Sequence, residues 1–132
     1  MSKTRDMVRE FHRAFAVVDE ERPSLPRAAW LSQATKYRVA GRYNLLRALA
    51  DFRTAASAGD LRAHRLALIT EELAELAAAF EGFGSADVRD TLDALCDIQY
   101  VLDGTVLACG MDRVADEAFR RVHASNMSKL GA

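Results

Sequence analysis

The stretch "LITEELAELAAAFE", residues 68–81, sets Glu71, Glu72 and Glu75 in a run dominated by leucine and alanine. Burying an unpaired carboxylate costs on the order of several kcal/mol, so these acids must face water or meet something positive. Read as a helix, Leu66, Ile69, Leu73, Leu76 and Phe80 form one apolar stripe. Arg65, Leu68, Glu72, Glu75 and Ala79 form a second stripe beside it, and Ala67, Ala74 and Ala78 a third of small side chains. A helix that is apolar nearly all round is a buried one, which puts Glu72 and Glu75 one turn apart on a flank facing another helix. Downstream, Asp90, Asp93 and Asp97 share a face continued by Tyr100, Val101 and Gly104, with Leu92, Leu95, Leu102 and Val106 opposite. Aspartate is a poor helix former, and three on one stripe repel at neutral pH. A hard divalent cation explains the pairing. Mg²⁺ takes oxygen ligands and keeps positions for water or phosphate, and carboxylates at i and i+3 or i+4 from two helices can surround it. The Glu-x-x-His pair of di-iron bundles and the glycine-rich P-loop are both missing, which favours Mg²⁺ or Mn²⁺ and a phosphate chemistry outside the P-loop class.

The elements that must position these acids are helical. Punctuation by Gly, Pro and capping residues divides the chain into helices over about 3–19, 27–57, 61–81, 86–109 and 112–126. The Pro23–Pro26 turn closes the first, Gly41 breaks or kinks the second, and Asp60, Ser85 and Asp112 cap the last three. No segment alternates like a strand, so the fold class is all-α. The 132 residues fit one domain spanning 1–132. Cys96 and Cys109 fall roughly 20 Å apart along one helix, too far for a disulfide within the chain, and read as reduced core thiols.

Half of the residues are apolar, so a core is expected. A net charge of −1 disfavours a nucleic-acid binder, and no apolar run is long enough to span a bilayer. The start "MSKTRDMVREFHRAF" lacks a secretory signal, giving a cytoplasmic expectation.

With those acids in view, the chain resembles the MazG-like, all-α nucleoside triphosphate pyrophosphohydrolases, whose pattern is EExxE on one helix and ExxD on the next. "EELAE" supplies Glu71, Glu72 and Glu75, and "DALCDIQYVLDG" resembles the second half with Asp97 at the family aspartate. "VREFHRAF" and "RRVHASNMSKL" are similar to the phosphoribosyl-ATP pyrophosphohydrolase-like and dimeric dUTPase-related branch, while residues 30–60 look longer than in simpler members. The family's ExxD glutamate falls at Ala94, so Asp93 is its expected replacement, with Asp90-x-x-Asp93 as a second register. The resemblance implies that Glu72, Glu75, Asp93 and Asp97 hold Mg²⁺ and that Glu71 orients or deprotonates the attacking water. Arg65, Tyr100, Asn126 and Lys129 would meet substrate. It also implies a four- or five-helix bundle completed by oligomerisation, as a homodimer or homotetramer. The implied reaction hydrolyses (deoxy)nucleoside triphosphates to monophosphate and pyrophosphate, a house-cleaning role with dUTP among the candidate substrates. A catalytically inactive helical binding module is the alternative that Ala94 raises. Base recognition is expected in the 30–60 segment, where Trp30, Tyr37 and Tyr43 could stack or pack, and where Lys36, Arg38 and Arg42 read best as a solvated basic cluster.

Overall fold

A computed structural model describes residues 2–29, 33–82 and 84–131. Trp30, expected to stack or pack, lies outside the described residues. Those described form helices and no strands: α1 (Lys3–Ala14), α2 (Gln33–Ser57), α3 (Leu61–Ala79), α4 (Ser85–Ala108) and α5 (Asp112–Ser128), then a 3₁₀ turn at Lys129–Gly131. The chain divides into two compact units, one of residues 1–23 and 106–132, the other of residues 24–105.

In the first unit α1 packs on α5, with His123 Nε2 3.6 Å from Glu10 Oε1. Ser2 caps α1 by accepting from the Arg5 N–H. The helix stops at Ala14, short of the expected Asp19. There Ala16 adopts φ 55°, and the Val17 N–H bonds back to the His12 carbonyl at 2.8 Å. This six-to-one closure satisfies a carbonyl that the helix end would leave open. The same closure ends α2, where Asp60 N–H meets Ala55 O at 3.2 Å, and α4, where Met111 N–H meets Val106 O at 3.0 Å. Those two use Gly59 and Gly110 at the left-handed position, which suits glycine.

In the second unit, α2 and α3 form an antiparallel hairpin across the Gly59 turn, and Asp60 caps α3 as expected through the Ala63 N–H. The seam is built from small residues. Ala63, Ala67, Thr70 and Ala74 are buried on α3, and Leu49 on α2. The expected large stripe is not the core: Leu66 and Leu73 are 45% and 41% exposed. Small side chains let α2 approach closely, and that choice turns the bulkier stripe outward. Arg38 clasps Glu81 with Nε–Oε1 at 2.8 Å and Nη2–Oε2 at 3.3 Å, tying the start of α2 to the end of α3. The Glu81 carboxyl is held below its ordinary range chiefly by that hydrogen bond. The basic cluster is thus partly engaged in packing.

Three further expectations need correction. Gly41 does not break α2, which runs through it from Gln33 to Ser57, because neighbouring turns and the α3 contact outweigh one poor helix former. Ser85 and Asp112 are each the first residue of a helix, not its cap. Asp87 reaches back to the Gly84 N–H at 2.9 Å, and Met111, already bonded to Val106, opens α5 without a side-chain cap. Cys96 and Cys109 are exposed free thiols rather than core residues. Cys96 stands two positions past buried Ala94, which turns it to the other side of α4.

A Cβ on Gly41 would meet nothing within 4 Å. Gly41→Ala should therefore raise the unfolding free energy by about 1 kcal/mol. Ala16→Gly should add roughly 0.5–1 kcal/mol by relieving a left-handed alanine. Urea midpoints measure both, and a lowered midpoint for either variant contradicts the reading of that helix.

Candidate metal centre

The α2 seam fixes the rotation of α3, and Arg65, Glu72 and Glu75 of the second stripe then face α4. Arg65 Nε donates to Thr105 Oγ1 at 3.1 Å and Nη2 to the Val101 carbonyl at 3.2 Å. Gly104 leaves the room, since a Cβ there would stand 2.7 Å from Arg65 Nη2. Seven positions further along α3, Glu72 comes opposite Asp97. One carboxylate oxygen from each of Glu72, Glu75 and Asp97 lies within 4.8 Å of the others. Two helices thus converge three acids at one point, as the single-turn spacing anticipates.

The electrostatics are those of a strained cluster. Burial, then the neighbouring Glu75, Asp97 and Glu71 charges, pushes the Glu72 carboxyl up to about 7. Its Oε2 is buried with no hydrogen-bond partner. Glu72 thus stands beside two further carboxylates while one of its own oxygens is buried without a partner, an arrangement that suits a hard cation able to cancel the repulsion. The donor set of oxygens alone fits Mg²⁺ or Mn²⁺.

Asp93 is outside the close group; it lines an acidic cleft of about 400 Å³ with Glu75, Asp87, Asp90 and Ala94. Ala94, where the family glutamate would fall, is 3% exposed. Glu71 points to the α2 side of α3, where Arg53 Nη2 stands 3.3 Å from its Oε1. Arg65 engages α4 rather than the acids. Tyr100 is 80% exposed. Asn126 and Lys129 belong to the first unit and pair with each other, Nζ to Oδ1 at 3.2 Å. Arg53 was not foreseen, because nothing along the chain joins it to a glutamate 18 residues on.

A sequence model described as phosphoribosyl-ATP pyrophosphohydrolase matches residues 42–126, more than half of the chain and all three converging acids. The chain belongs to that family. It is an all-α pyrophosphohydrolase family within the MazG-like superfamily, whose members act on acid anhydrides and typically need a metal. The match begins inside α2, so α1 lies outside it. No curated protein and no solved structure matches the chain.

The shifted Glu72 gives the metal-free protein a pH signature. A carboxyl with a folded value near 7, against an ordinary 4.5, binds its proton more tightly in the folded chain. Its contribution to stability is complete below the ordinary value and is lost as pH rises through about 7. Without metal, wild type minus Glu72→Gln stability should therefore fall between those two values and level off above them. Thermal melts across that window measure it; a difference that stays flat or rises contradicts the assignment.

Proposed function

We propose that this protein hydrolyses (deoxy)nucleoside triphosphates to the monophosphate and pyrophosphate with Mg²⁺, in a house-cleaning role. The observation that carries the reading is the convergence of Glu72, Glu75 and Asp97, with one Glu72 oxygen buried and unpartnered, in a chain of a pyrophosphohydrolase family. Those three residues would hold Mg²⁺, with Asp93 as the further acid that replaces the missing glutamate and Mn²⁺ as the alternative ion. The bound ion supplies charge neutralisation of the polyphosphate and polarises the reacting phosphoryl group. Glu71, next in the chain to a ligand, takes the proton from a water that attacks the α-phosphorus, and pyrophosphate leaves. Asn126, Lys129 and Tyr100 are assigned to phosphate, sugar or base, with dUTP a candidate substrate. Arg65 is reassigned from substrate contact to holding α4 against α3, because two of its donors are already committed there.

Hydrolysis in ¹⁸O-water, followed by phosphorus NMR, tests the bond cleaved: the label should enter the monophosphate. Glu71→Gln should lower kcat by about 10²–10⁴-fold while Mg²⁺ still binds. Diphosphate and orthophosphate as primary products contradict the proposal. No Mg²⁺-dependent turnover across all the canonical nucleotides would favour the inactive binding module.

We also propose that the active form is a homo-oligomer, dimer or tetramer. Leu92 and Leu95 are 60% and 48% exposed on α4, Leu102 is exposed on the same helix, and Leu66 and Leu73 are exposed on α3. Apolar stripes of this extent on both helices of the acid site mark an association surface. A two-fold arrangement would cover them and complete a four-helix core. The melting midpoint should then rise with protein concentration. A folded, concentration-independent monomer by light scattering at low micromolar concentration contradicts this.

A further inference from the structure

Two ion pairs join α2 to α3, and they differ in kind. Arg38–Glu81 is two-pronged and half-buried. Arg53–Glu71 rests on one nitrogen–oxygen approach of 3.3 Å, with side chains 56% and 40% exposed. Such an exposed, single contact contributes little to stability. Both residues line a cleft of about 430 Å³ between α2 and α3, with Ser57, His64, Ala67 and Leu68. The Glu71 charge on that lining is also one of those that act on the metal-ligand candidate Glu72. Among the described residues, Arg65 is spent on α4 and Arg38 on Glu81, whereas Arg53 answers only to the exposed Glu71.

We infer that Arg53 is a polyphosphate contact that exchanges partners: it holds Glu71 until a polyphosphate chain takes its guanidinium and releases the Glu71 carboxylate. This rests on the metal-centre reading, because that centre brings the polyphosphate beside the cleft. A polyphosphate is the stronger partner here, since it carries more charge and offers two oxygens to two parallel N–H bonds, against the single contact with Glu71. The same swap frees Glu71 when a substrate is present. No proton or bond changes in the exchange itself; one ion pair replaces another.

The probe is inorganic tripolyphosphate with Mg²⁺, its dissociation constant measured by calorimetry on the full chain, so the readout is independent of turnover. Arg53→Ala should weaken binding by about tenfold, the value of a lost charge-assisted hydrogen bond. Arg53→Lys should recover part of it. Glu71→Gln should tighten binding by about two- to fivefold, because the competing partner is removed. That gain should vanish when Glu71→Gln is placed on Arg53→Ala, closing a double-mutant cycle. A gain that persists without Arg53 would reflect only one fewer negative charge and overturns the exchange. Unchanged affinity in Arg53→Ala, with an unchanged melting midpoint showing it folds, also overturns it. If the cycle closes as expected but wild type releases no pyrophosphate, the exchange stands and the hydrolase reading fails.

Discussion

The rotation of α3 about its own axis is the constraint on which the rest depends. A helix has one face for each neighbour, and α3 has three apolar or mixed stripes to offer. The buried seam of Ala63, Ala67, Thr70 and Ala74 gives α2 the smallest of them. Close approach over alanine gains dispersion contacts and excludes water without the rotamer entropy of larger side chains. Once α2 is seated there, no freedom remains. Glu72 and Glu75 turn to α4, Glu71 turns back to α2, and Leu66 and Leu73 turn out. A bulky residue in the seam would rotate or displace α3 and dissolve the acid group without touching an acid.

The acids are in turn kept in place by cations that do not neutralise them. Arg65 lies on the same stripe as Glu72 but spends its donors on Thr105 and Val101. Arg38 spends its donors on Glu81. Arg38 and Arg65 thus serve the helix contacts, while Glu72 is left with a buried bare oxygen and a raised proton affinity. Local stability is given up at one point, a pattern that clusters at functional sites.

Sequence reasoning captured the elements and the acids for a physical reason. Carboxylates at single-turn spacing can be placed on a helix face from period alone, and "EELAE" with Asp97 is legible in that way. What one dimension does not contain is which of several stripes a neighbour selects. Leu66 and Leu73 look like core by size, yet the alanines fill that role. The same ambiguity misplaced Cys96, which shares α4 with both a buried stripe and an exposed one. Cap residues were misjudged by one position at Ser85 and Asp112 because closures from the preceding segment, Gly84 and Met111, decide where the next helix starts. Arg53 escaped because an ion pair across a turn depends on helix phase, which the spacing of two lone residues does not reveal.

The short Gly59–Asp60 connection has a kinetic meaning. Two helices joined so tightly can zip outward from contacts close in sequence at the turn, and such contacts form early when a chain folds. Glu71, Glu72 and Glu75 all belong to that hairpin, whereas Asp97 arrives with α4, beyond a second turn. Two of the three converging acids, Glu72 and Glu75, therefore stand together before the third, Asp97, is in place. If these acids hold the divalent ion proposed above, full grip requires α4 in place, and the ion's affinity would then double as a gauge of that last docking step. A change that loosens α4 would then lower the grip even where every carboxylate is intact.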